Sequence, residues 1–140
     1  ILYALPAFFG FYLSSNQMPS LLVVLGVFFW TSAMHLFSAI PDIEYDKSAG
    51  LKTTAVVLGR SYSLLLVIIF WALSSYIIFA ITQNIFIGLA SYIYTLLPFY
   101  CLISKTNQDS KLDKLYWAFP YINFIFGFVL FWYLAFNKFF

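Results

Sequence analysis

Asp42, Glu44 and Asp46 stand within five positions of one another in a chain of 140 residues of which only 9% carry charge. Asp42 and Asp46 are four apart, so on a helical turn their side chains share one face with Cβ atoms about 5–6 Å apart, while Glu44 points away. Left alone, such a pair repels itself by roughly 0.2–0.5 kcal/mol, and an ionised carboxylate at bilayer depth costs at least about 2.5 kcal/mol. A divalent cation relieves both penalties. Magnesium suits the pair because it takes oxygen ligands, keeps several waters and commonly bridges one or two carboxylates to phosphate oxygens, so the expected partner is a diphosphate. Downstream, Gly50 and the stretch "LKTT" offer the Lys52 ammonium, the Thr53 hydroxyl and pliable backbone to an anion. The same spacing also fits a solvated connection whose acids pair with Lys47, Lys52 and Arg60, and spacing alone leaves both readings open.

The elements that must position these residues are membrane spans. The chain is 64% hydrophobic, with a mean hydropathy of +0.92, far outside the composition of a soluble domain. Four runs, 20–40, 63–82, 85–103 and 115–136, are each about long enough to cross roughly 30 Å of hydrocarbon as a helix, and none contains Asp, Glu, Lys or Arg. A first run, "ILYALPAFFGFYL", is too short to span. Because the chain begins at Ile1 with that short run, an N-terminal truncation is expected. Connections alternate between uncharged turns, "SSNQMPS" and "TQN", and two charged loops, 41–62 and 104–114, which hold every acid and six of the seven basic residues. The basic loops place that side in the cytoplasm. Pro19 and Ser20 open the second run, Gly59 follows the short segment "TTAVVL", and Pro98 and Pro120 are expected to kink their spans. The fold class is an all-α, polytopic membrane bundle of about five helices, the first cut short. A net charge of +2 gives no basis for nucleic-acid binding. Cys101 is the sole cysteine, which excludes an internal disulfide. Oligomeric state is not legible.

The stretch "AIPDIEYDKSAGLKTTAVVLG" resembles the second aspartate-rich motif of the UbiA family of intramembrane prenyltransferases. The fuller phrase "HLFSAIPDIEYD" is most similar to the carotenoid branch, the lycopene elongases. The resemblance implies that residues 1–140 are the C-terminal part of a single transmembrane prenyltransferase domain, matching the last five helices of a nine-helix fold. It implies Mg²⁺-assisted transfer of an isoprenoid group from a prenyl diphosphate to a lipophilic acceptor, a carotenoid such as lycopene or an aromatic quinone precursor. By matching position, Asp42 and Asp46 would ligate Mg²⁺, and Lys52 would neutralise the leaving diphosphate. The family's first aspartate-rich motif has no counterpart in these residues, and the missing N-terminal part is expected to carry it.

His35 lies seven residues before Asp42 and eleven before Asp46, so on a continuous helix all three share a face with Ser38 unless Pro41 kinks the line. An ionisable group inside a span is a functional candidate, here lining the acceptor pocket or acting as a base, and its plain alternative is a neutral imidazole bonded between helices. Aromatic residues, 24% of the chain, either wall an isoprenoid cavity or face lipid, with Tyr116, Trp117, Trp132 and Tyr133 suited to interfacial belts. Asn123 is expected to bond to a neighbouring helix. Two rivals are weighed. A transporter or channel fragment with a cation-attracting loop would place charges near the midplane, where these spans have no acids. A membrane phosphotransferase would need a D-x-x-D-G-x-x-A-R element, which is absent. These 140 residues alone are expected to show no prenyl transfer; Mg²⁺-dependent product formed by the isolated fragment from labelled prenyl diphosphate would overturn this.

Overall fold

The structure, a computed structural model, describes residues 4–103 and 108–139, without the side chains of 108–116 and 137–139. Among the described residues all regular structure is helical. A short α1 (Leu5–Ser15) precedes α2 (Leu21–Ala39), the six-residue α3 (Ile43–Ser48), α4 (Thr54–Thr82), α5 (Ile85–Ser91), α6 (Ile93–Ile103) and α7 (Gln108–Phe139). Among the described residues four helical segments are long and apolar enough to cross a membrane: Leu21–Ala39, Thr54–Thr82, Ile85–Ile103 and Trp117–Phe136. The expected spans and their order hold, with α1 as the short first run.

Local chemistry sets the boundaries. Ser20 caps α2, its Oγ accepting from the Val23 N–H at 3.4 Å. The turn between α4 and α5 needs only Gln83, left-handed with φ 52°, and Asn84, whose Oδ1 accepts from the Phe86 and Ile87 N–H groups. Gly59, at φ 70° and ψ 172°, breaks α4 one turn from its start, where the sequence expects a boundary. The buried Ser63 Oγ, four residues on, and the buried Trp71 Nε1 have no hydrogen-bond partner among the described residues. The third span divides at Tyr92 into α5 and α6, about one turn ahead of Pro98, whose ring excludes a regular bond to the Tyr94 carbonyl.

Within the charged connection 41–62 the backbone is helical in α3 and in the first nine residues of α4. In the second connection it is helical from Gln108, ahead of the span that starts at Trp117; residues 104–107 lie outside the described residues, as do the Lys111 and Lys114 side chains.

Helix α4 is the centre of the bundle, packed on α2 along one side and on α5 and α6 along the other. Between α2 and α4 the backbones approach closely: Ser74 Oγ donates to the Gly26 carbonyl at 3.1 Å, and a Cβ on Gly26 would lie 2.9 Å from Ile77 Cγ2. Small residues at such crossings admit the dispersion contacts that hold helices together in lipid, where no hydrophobic drive operates between them. An aromatic cluster fills the middle. Trp71 is fully buried, stacks on Phe119 at 5.7 Å and meets Tyr94 at 5.6 Å, and Trp30 stacks on the other side of Phe119 at 6.0 Å. Tyr94 donates to Asn123 Oδ1 at 2.9 Å, the interhelical bond expected of Asn123. Tyr133 donates to the Thr82 carbonyl at 3.2 Å, which brings the far ends of α7 and α4 together. Gly26→Ala should therefore lower the melting temperature of the detergent-solubilised protein, since the added methyl overpacks a stiff β-branched side chain at a cost of about 1–3 kcal/mol.

Candidate metal and diphosphate site

The acidic stretch lies where α2 ends. Pro41 cannot continue that helix's hydrogen bonding, and Asp42, at φ −88° and ψ 1°, stands as the residue before α3. The Asp46 N–H donates to the Asp42 carbonyl at 2.8 Å, so the two aspartates are one true helical turn apart. Asp42 and Glu44 are exposed and Asp46 is half-buried. Glu44 and Asp46 fall in the first turn of α3 and Lys47 in its last, the order that the helix ends favour.

A Schellman turn closes α3. The Leu51 N–H reaches the Asp46 carbonyl at 2.9 Å and the Gly50 N–H reaches the Lys47 carbonyl at 3.1 Å, with Gly50 left-handed at φ 74°. The closure reverses the chain so that Thr53, the first capping residue of α4, comes back to the acids. Thr53 Oγ1 donates to Asp46 Oδ2 at 3.2 Å and accepts from the Val56 N–H at 3.3 Å. Lys52, immediately before it, is exposed.

His35 does not lie on one continuous helical line with the aspartates, as a single unbroken helix would require. The helix stops at Ala39, and Ser38 turns its hydroxyl back onto the His35 carbonyl at 2.9 Å. His35 and Thr53 are brought together in another way: both line a cavity of 320 Å³ between α2 and α4, with Ser32, Thr54 and Phe70. Asp42, Asp46 and Lys52 are not among its lining residues. Sequence reasoning missed the Schellman closure and the Thr53 cap, although Gly after a short polar helix and Thr before an apolar one are their ordinary signals.

Among the described residues no cluster of three or more His, Cys, Asp and Glu could enclose a metal. Two carboxylates a turn apart, one exposed and one half-buried, would make an open site that leaves most of the shell to water and phosphate oxygens. That set fits magnesium, which is reluctant to lose its waters, and fits poorly the closed nitrogen and sulfur sites of zinc.

With this geometry in view, comparison with known proteins fixes the class. The model of the UbiA prenyltransferase family matches residues 1–126, and the chain belongs to that family, a multi-pass helical membrane protein. Its relatives include the lycopene elongase/hydratase of Haloarcula japonica, 35% identical over 128 residues that cover 91% of this chain and 42% of the relative. The lycopene elongase/hydratase of Haloferax volcanii is 35% identical over 129 residues, 92% of this chain and 41% of that protein. That of Halobacterium salinarum is 38% identical over 128 residues, 91% and 44%. The chain thus spans less than half the length of these curated relatives. No solved structure matches it.

The left-handed Gly50 is the most demanding backbone position at this site. Gly50→Ala should cost about 1–2 kcal/mol, loosening the Leu51 amide bond; hydrogen exchange at Leu51 should accelerate roughly 5–30-fold.

Proposed function

We propose that this chain supplies the second aspartate-rich motif of a prenyltransferase that moves an isoprenoid group from a prenyl diphosphate to a carotenoid acceptor such as lycopene. The observation that carries the reading is the Asp42–Asp46 turn, formed at the mouth of an apolar bundle in a chain of the UbiA family. An aromatic quinone precursor as acceptor fits the family equally, and the three lycopene-acting relatives favour the carotenoid.

Asp42 and Asp46 hold Mg²⁺ in this reading, and Lys52 adds a cation where the diphosphate leaves. When bound, magnesium supplies charge neutralisation for the departing diphosphate. In the transfer, the allylic C–O bond of the prenyl diphosphate breaks and its electron pair departs with the diphosphate. A π electron pair of the acceptor then forms the new C–C bond, and the charge left on the acceptor is quenched by losing a proton or adding water. His35, in the cavity it shares with Thr53, is the candidate to take that proton. The relatives' double name of elongase and hydratase suits both ways of quenching the charge.

The bilayer itself is the partner of the outer surface: Phe86 and Phe124, both on spans, are each more than 70% exposed, as lipid-facing side chains are. The acidic end, which also carries Lys47 and Lys52, faces the cytoplasm by the excess of basic residues. The transporter reading is not carried forward, since the family is one of transferases.

In membranes containing the full-length enzyme, with labelled prenyl diphosphate, lycopene and Mg²⁺, Asp42→Asn and Asp46→Asn should each cut product formation at least about 100-fold, the equivalent of the several kcal/mol a Lewis acid contributes. Full-rate turnover by the double variant would sink the reading.

A further inference from the structure

Thr53 has a second role that its sequence position does not announce. Its hydroxyl proton is already donated to Asp46 Oδ2 at 3.2 Å, and its oxygen already accepts the Val56 N–H at 3.3 Å as the cap of α4. A half-buried hydroxyl held at both ends is poorly placed to serve as a donor to an anion. It is well placed to fix a carboxylate. We infer that Thr53 is the positioning residue of the metal site: anchored by the first turn of α4, it fixes the Asp46 carboxylate on the short α3, and its contribution to turnover passes through Asp46.

The inference rests on the metal reading of Asp42 and Asp46. A carboxylate on a six-residue helix, even one that lies against α4 and packs Ile43 on the core, has side-chain rotamer freedom to lose on binding a cation. The bond from Thr53 removes part of that freedom beforehand and ties the acid to the capped first turn of α4, ahead of the break at Gly59. One of the carboxylate's four lone-pair sites is used, and the others stay open to a cation. Partners of this kind, which hold a metal ligand in place, typically matter about 10–100-fold in metal affinity.

The test is direct metal binding to the full-length protein in detergent without substrate, with Mn²⁺ as the probe followed by its paramagnetic resonance and displaced by Mg²⁺. Thr53→Val, which keeps the shape and loses the hydroxyl, should weaken Mn²⁺ binding about 10–100-fold, and Thr53→Ser should restore it. Thr53→Gly loses the donor yet remains a tolerated cap, so it should bind as weakly as Thr53→Val and decides the matter if the valine variant does not fold. Wild-type binding by the valine or glycine variant, or weak binding by the serine variant, overturns the inference. A raised KM for prenyl diphosphate with unchanged metal affinity would instead make Thr53 a substrate contact, and also overturns it. Asp42→Asn and Asp46→Asn serve as the control: if they too bind Mn²⁺ normally, the metal reading itself fails, and if they lose it while the Thr53 variants do not, only the positioning role fails.

Discussion

Charge cannot enter hydrocarbon cheaply, and this chain is organised by that cost. An acid at the bilayer centre is disfavoured by at least about 2.5 kcal/mol, so the stretch carrying Asp42, Glu44 and Asp46 has to lie where one span stops and before the next begins. A free loop there would satisfy the cost. The chain does something more specific, folding six residues into α3, closing them with a left-handed glycine, and returning to a capped helix at Thr53. Each device satisfies backbone groups that would otherwise need water, and together they hold the Asp42 and Asp46 backbones one helical turn apart at the end of the bundle.

The spans were legible because the signal is coarse. Some twenty apolar residues between polar turns have few alternatives in a membrane, and Ser20, Gly59 and Pro98 mark their boundaries by plain steric and hydrogen-bonding rules. The aspartate turn was legible because i and i+4 are neighbours on any helix. What the spacing could not show is how α2 relates to α3. A uniform 100° per residue carries His35 onto the aspartate face, yet Pro41 interrupts the count, and His35 meets Thr53 across a cavity because of tertiary packing. The contact of Thr53 with Asp46 escapes the sequence for the same reason: seven residues apart, the two meet only because Gly50 reverses the chain. Gly26 against Ile77 is harder still, since no local pattern names the partner of a small residue on another helix.

The interior divides along the helix axes into two levels. Near the acidic end, the cavity of 320 Å³ runs from Ala39 to Ser32 on α2 and ends against Phe70 on α4. Toward the opposite end, a cavity of 390 Å³ is lined by Val23, Gly26 and Ser74, with Tyr94 and Asn123 at its side. Trp71 lies between them on α4, stacked with Phe119 and Trp30. The Tyr94 hydroxyl is matched to Asn123, while the buried Trp71 Nε1 has no hydrogen-bond partner among the described residues, so the middle of the bundle offers mainly apolar and aromatic surface. Such a wall suits a hydrocarbon chain and a transient allylic cation, whose charge ring faces can stabilise without providing a nucleophile.

The proposed reaction depends on keeping two environments adjacent without mixing them. A diphosphate needs water, cations and carboxylates; the cation it leaves behind is destroyed by water. The acid turn is exposed at Asp42 and half-buried at Asp46, and the cavity with His35 and Phe70 lies inward of it between α2 and α4. Thr53 stands on the boundary itself, lining the cavity while its hydroxyl is bonded to Asp46. In the proposed reaction a rigid boundary would keep the departing diphosphate on one side while the new carbon–carbon bond forms toward the other, and rigidity there comes from the cap of α4 and the closure of α3. The short helix and its glycine are therefore as much a part of the proposed chemistry as the carboxylates they carry.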